Sequence, residues 1–231
     1  MILRQDPLSL LDNPAWNALC TAQASFAEGD VLAKRYPVDV APIAATRDQS
    51  AESYDSLARL LGSSKPTALA FVEAPSLPAG WTAVRVLPNI QMIRDSPVPP
   101  PVKHSVEDLN ISHIDEMLAL TELNQLGRFR RRAPELGSYV GIHESGRLVA
   151  MAGEGFRFPG YTEISAVCTH PDRRGRGYAS SLVSSLIHQI TERGEIPFLH
   201  VGRDNVDAIR VYEKLGFKTR RMINFVIVKR D

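Results

Sequence analysis

The hexapeptide Arg174-Gly175-Arg176-Gly177-Tyr178-Ala179 sets two guanidiniums and two glycines where the pattern of the chain changes. Before it, Ile164-Ser165-Ala166-Val167-Cys168 is short, apolar and rich in β-formers, as a buried strand is. After it, Leu182, Val183, Leu186, Ile187 and Ile190 recur at helical spacing. A strand that turns through glycines into a helix is suited to hold a phosphate. The amides of the first helical turn point outward and the helix dipole favours an anion there. Glycines let the backbone approach closely, and the arginines add charge. The wording is not Walker A, which needs Gly-x-x-x-x-Gly-Lys-Ser/Thr, and it lacks the three glycines and downstream acid of a dinucleotide fingerprint.

What it matches is Arg/Gln-x-x-Gly-x-Gly/Ala, and a second constellation follows in Asn205, Ala208, Tyr212 and Gly216-Phe217. Together these resemble the acyl-CoA pyrophosphate loop and the Asn-x-x-Ala-x-x-x-Tyr-x-x-x-Gly-Phe helix of the GCN5-related N-acetyltransferases, most closely the FR47-like branch. The resemblance covers residues 103–231, and nothing recognisable covers the first hundred. It implies an α/β (α+β) fold with a mixed, mostly antiparallel twisted sheet flanked by helices. It also implies acetyl-CoA, or another short acyl-CoA, as co-substrate, no metal, and an amine-bearing acceptor, for which a small molecule is favoured over a protein while protein N-termini stay open. The diphosphate falls to the amides of Arg174, Gly175, Arg176, Gly177, Tyr178 and Ala179, with Arg174 and Arg176 as charge partners. By the same resemblance the strand ending Val167-Cys168-Thr169 pairs its backbone with the pantetheine arm.

Acyl transfer from a thioester to an amine further needs a neutral amine and a proton for the departing thiolate. Asn205 and Tyr212, seven residues apart, share one helix face about 10 Å apart along the axis. That suits Asn205 to the pantetheine amides and Tyr212 to the sulfur, as general acid. A tyrosine near 10 is roughly matched to a thiol near 8.5. Glu163, six residues before Thr169, resembles in position the glutamate base of the histone-acetylating branch; His143 and His200 are alternatives. Cys168 invites an acyl-cysteine route, but an activated thiolate needs an accessible, electropositive niche and this residue lies in an apolar strand. Direct attack by the amine follows.

These residues need a scaffold. Residues 139–143 and 148–156 read as a hairpin joined at Glu144-Ser145-Gly146-Arg147, residues 197–201 as a short strand, 204–215 as a helix with Asp204 as N-cap, and 219–228 as a closing strand. Residues 111–126 form an amphipathic helix. The run Arg128-Phe129-Arg130-Arg131-Arg132 is either a solvated loop or a contact to a cofactor phosphate or an acidic acceptor. Ahead of these, residues 1–95 read as a smaller α+β region, with helices starting at Pro14 and over 53–61, a strand over 68–73 and one or two more strands within 81–93. A degenerate half-copy is one reading of it. Ser96-Pro97-Val98-Pro99-Pro100-Pro101-Val102 is a proline-rich linker, or a PxxP ligand, before the acetyltransferase domain at 103–231. Variable segments, 121–137 and 156–161 with the N-terminal half, are expected to build the acceptor pocket.

With 231 residues there is ample core for one large or two small domains. A net charge of +1 suggests neither nucleic acid nor a membrane surface as partner. Two cysteines, Cys20 and Cys168, make no disulfide framework, and the first residues lack the apolar run of a signal peptide, so a cytoplasmic protein is expected. Acceptor identity and oligomeric state are not legible. A non-catalytic CoA-binding or sensing module is the alternative reading, which thiol release with an amine panel would distinguish.

Overall fold

The computed structural model describes residues 7–62, 66–73, 75–127 and 129–230. A 3-10 turn (Pro7–Asp12) leads into α1 (Pro14–Cys20), with Pro14 in the first turn, where its missing N–H costs nothing. Strands β1 (Glu28–Gly29), β2 (Ala33–Arg35) and β3 (Ala44–Thr46) form a small antiparallel sheet. Helix α2 (Ala51–Leu61) opens on Ser50, whose hydroxyl accepts from the Ser53 amide, and stops at Gly62. Then come β4 (Thr67–Phe71), β5 (Trp81–Ile93), β6 (Glu107–Leu109), α3 (Ile114–Leu123), β7 (Tyr139–Glu144), β8 (Arg147–Phe158), β9 (Tyr161–Thr169), α4 (Tyr178–Glu192), β10 (Ile196–Gly202), α5 (Val206–Lys214) and β11 (Lys218–Arg230).

The eight strands from β4 onward make one sheet in the order β4-β11-β5-β10-β9-β8-β7-β6. Every neighbouring pair is antiparallel except β9 with β10. The expected boundary at 96–102 does not divide this sheet: β5, from the first hundred residues, lies between β10 and β11, and β4 flanks β11. Prolines stop a strand locally but carry no information about which strands pair across the chain. Nor does the proline segment hang free. The Arg94 guanidinium donates to the carbonyls of Leu215 and Ser96, both at 2.8 Å, and to that of Val98. His188 reaches the Pro100 carbonyl at 3.0 Å, and the amides of Lys103 and His104 both donate to Ser181 Oγ on α4.

Two smaller corrections concern helix ends. Residues 111–113 form a 3-10 turn ahead of α3, which ends at Leu123, short of 126. Asn205, not Asp204, caps α5: its side-chain oxygen accepts from the Ala208 amide at 3.3 Å.

The sheet carries different cover on its two faces. On one, α4 and α5 pack Leu182, Leu186, Ile190 and Tyr212 against Val140, Ile164 and Leu199. On the other, α1 and residues 36–45 cover Phe156, Phe158, Tyr161, Phe198 and Phe225. Leu19 is wholly buried in that second layer, so Leu19→Ala would cost about 2–5 kcal/mol and loosen the cover.

Candidate active site

The site forms where β9 and β10 part. Their parallel pairing runs from Tyr161 with Ile196 to Ile164 with Leu199 and goes no further. Beyond that point β9 continues beside β8 and β10 beside β5, leaving a wedge between them. On the β9 edge a register shift between Gly153 and Met151 sets two residues against one, and Ala166 takes a φ of +54°. A non-glycine residue in that region is strained backbone of the kind that collects at functional sites. Val167, Cys168 and Thr169, the expected pantetheine strand, line this wedge from the β9 side.

Beyond Thr169 lies the glycine turn. Gly175 and Gly177 adopt φ of +78° and +83°, left-handed values that few other residues take without strain. The Arg174 amide, expected among the diphosphate donors, turns back to the Pro171 carbonyl at 3.4 Å, whereas the amides from Gly175 to Ser180 donate no hydrogen bond to any described residue. Six successive free donors at the start of a helix of 15 residues fit a diphosphate-bearing ligand. The turn is held from beneath by a residue that motif reading missed. Glu144, at the end of β7, accepts from Arg173 Nε at 2.6 Å, from Arg176 Nη1 at 3.4 Å and from the Tyr178 hydroxyl. The Tyr178 hydroxyl first, then Arg173 and Arg176, hold its carboxyl below the usual range against some desolvation. Arg174 donates instead to Asn124 Oδ1 at 2.9 Å. His104 closes the other side, donating to the Arg176 carbonyl at 2.9 Å with its ring edge-on to Tyr178.

Tyr212, on α5, is buried with its ring against Phe217, and its hydroxyl has no partner among the described residues. Burial first and the neighbouring Cys168 second push its phenol up to about 12. It is thus a firmer holder of its proton than the value near 10 expected from sequence. Burial also pushes the Cys168 thiol up to about 12, which agrees with the reading of this cysteine as core. Asn205 is exposed at the opposite end of α5, where its oxygen is engaged as cap.

Of the three candidate bases, Glu163 and His200 come together and His143 does not. His143 lies on β7, tied to Glu107 at 2.5 Å and near Glu116. The Glu163 carboxylate accepts from His200 Nδ1 at 2.7 Å and from the Phe156 amide at 3.0 Å. A chain of bonds fixes the tautomer of His200. Arg220 donates to Gln91 Oε1 at 2.7 Å, so the Gln91 amide nitrogen faces His200 Nε2 at 3.0 Å and also donates to the Leu11 carbonyl. His200 Nε2 therefore accepts, and its Nδ1–H points at Glu163. Gly155 makes room for this carboxylate: a Cβ there would fall 2.4 Å from Glu163 Oε2. Neither Gly155 nor Gln91 carries a motif, and only the sheet register brings them here.

Glu163, Ser165 and Ala166 open onto a cavity of about 490 Å³ on the face covered by the N-terminal region. Its walls come from within 36–43, 66–68, 85–87, 125–139, 155–156 and 225–227. Of the expected stretch 156–161 only Phe156 contributes. From the basic run, Arg130 lines the cavity, whereas Arg131 pairs with Asp115 at 2.7 Å and Arg132 with Glu135 at 2.7 Å. Arg128 lies outside the described residues.

A mixed sheet opened at one parallel pair, with a free-amide turn at the head of the following helix, is the arrangement that the resemblance to N-acetyltransferases implies. The comparisons with known proteins agree. The family model described as FR47-like protein matches residues 139–226. A GNAT-family acetyltransferase from Novosphingobium aromaticivorans is 35% identical in sequence, with a TM-score of 0.89 over 96% of this chain and 98% of its own. A GCN5-related N-acetyltransferase from Kribbella flavida shares the fold at 17% identity, with a TM-score of 0.64 over 97% of this chain and 96% of its own. An N-acetyltransferase of Methanocaldococcus jannaschii is 37% identical over 62 residues, 26% of this chain and 27% of that protein. An acetyltransferase of Yersinia pestis is 45% identical over 56 residues, 23% of this chain and 39% of that protein. The match thus spans well under half the length of these last two. The chain belongs to the GCN5-related N-acetyltransferase (GNAT) family. Among the described residues no helix is long and apolar enough to cross a membrane.

Proposed function

We propose that the protein transfers an acetyl group from acetyl-CoA to the primary amine of an acceptor held in the cavity beside Glu163. One arrangement carries this reading: β9 bears Glu163 on the cavity wall one residue before its pairing with β10 ends, and runs from there through its unpaired edge to the free-amide turn. The amides of residues 175–180 hold the diphosphate, and the unpaired edge at Val167, Cys168 and Thr169 receives the pantetheine arm. Asn205, with its oxygen engaged as cap, offers its side-chain N–H groups to that arm.

The amine nitrogen attacks the thioester carbonyl, forming an N–C bond as the C–S bond breaks. Glu163 takes the amine proton, directly or through water. His200 holds the carboxylate in place and supplies a donor rather than a competing base. The departing sulfur takes a proton from Tyr212. A phenol at about 12 is a weak acid for a thiol near 8.5, so its contribution falls at the low end for general acids.

The test is thiol release from acetyl-CoA over a panel of amines. Tyr212→Phe is expected to lower turnover by about ten- to a hundredfold with CoA affinity retained. CoA binding without turnover of any amine would leave a binding or sensing module instead.

A further inference from the structure

The acceptor cavity carries charge of both signs. Its lining includes one acid, Glu163, and two guanidiniums, those of Arg85 and Arg130. Neither arginine makes an ion pair with any described residue, in a protein whose arginines mostly do. Arg35, Arg47, Arg131, Arg157, Arg173 and Arg193, for example, each reach a carboxylate within 3 Å. Arg130 is held by its own loop, Nη1 donating to the carbonyls of Gly127 and Phe129 at 2.8 Å each. Nη2 and Nε have no acceptor among the described residues.

Position adds to composition. Phe129, next to Arg130, packs edge-on against Tyr139, the ring that neighbours Glu163 in the wall. Arg85 lies six residues along β5 from Gln91, the residue bonded to His200, hence about 20 Å away at the exposed end. Much of the remaining wall is apolar, with Val40, Ile43, Leu87, Phe225 and Ile227. A volume of about 490 Å³ suits one small molecule.

We infer that the acceptor is an amino carboxylate: a primary amine directed at Glu163, an apolar body, and a carboxylate received by Arg130, with Arg85 drawing the anion in at the mouth. This rests on the acetyltransferase reading. An ionised carboxylate meeting a fixed guanidinium supplies both affinity and selection against neutral analogues.

The experiment compares phenylalanine with phenylalaninamide, and 6-aminohexanoate with 6-aminohexanamide, as acceptors of the full chain. At least one acid should exceed its amide by about ten- to a hundredfold in kcat/KM. Arg130→Gln should remove that preference, so that acid and amide are used alike. Arg85→Gln should weaken it less and chiefly at low salt. CoA affinity serves as the check that each variant is folded. Amides used as well as acids, a preference that survives both substitutions, or turnover confined to a C-terminally blocked peptide each overturn the inference while leaving the transferase reading in place. If no amine releases thiol, the transferase reading falls. Calorimetry of the two acids into the CoA-loaded protein then decides the site: binding weakened about tenfold in Arg130→Gln supports it, and no binding to wild type overturns it.

Discussion

The two sides of the β9–β10 opening are built in different ways. On the α4 side, one turn of six residues presents its own backbone, and its supports, Glu144 and His104, hold it from outside. On the other side, the cavity draws its wall from seven stretches scattered between residues 36 and 227. A ligand gripped by backbone needs little of the side chains around it. A ligand selected by a cavity needs many of them, each placed by a different part of the fold. One face therefore suits a co-substrate common to a family, and the other suits an acceptor particular to one member.

Substitutions on the two faces should separate these roles. The largest effect belongs to the turn. Gly177→Val forces a β-branched residue toward a φ of +83° and crowds the anion, and CoA binding should be lost by calorimetry while the thermal melt stays cooperative. Unchanged CoA affinity would remove the turn from the site.

Next is Glu163→Gln on the cavity face, expected to lower kcat by about a hundred- to ten-thousandfold with CoA affinity intact. The deficit should shrink at high pH, where the acceptor amine loses its proton unaided. His200→Phe should cost less, about tenfold, because it positions Glu163 without touching substrate. A Glu163→Gln enzyme within twofold of wild type would sink the base assignment.

The smallest effect sits between the faces. Cys168 and Tyr212 are both held protonated by burial, with values pushed up to about 12 from 9.0 and 10.0. The folded state binds these protons more tightly than the unfolded chain, so their contribution is complete below about pH 9. It is lost as pH rises towards 12, by an amount of order a few kcal/mol. Denaturant midpoints at pH 8, 10 and 11 would measure the decline. A flat profile would mean that these groups are better solvated than their burial implies.

Legibility followed the same division. The strand, the glycine turn and α4 could be read because hydrophobic period and glycine placement are local, and the turn's chemistry resides in consecutive amides. Tyr212 could be singled out by spacing on one helix, though burial then changed its acidity. Glu144, Gly155 and Gln91 could not, since a glutamate after a hairpin strand, a glycine in a strand and a glutamine in another carry no signal until register sets them beside Arg173, Glu163 and His200. The entry of β5 into the large sheet, from ahead of the proline-rich segment at 96–102, has the same origin.

Taken alone, the sequence determined where the chain turns, which faces of its helices are buried, and which turn carries the glycines and arginines that suggest an anion site. Each of these depends on residues within a few positions of one another. Only the tertiary structure decided that β5 enters the catalytic sheet, that His200 presents Nδ1–H to Glu163, and that a cavity lined by one acid and two guanidiniums lies under the N-terminal region. Those outcomes depend on which distant strands share hydrogen bonds, and strand pairing is set by the packing of the whole chain.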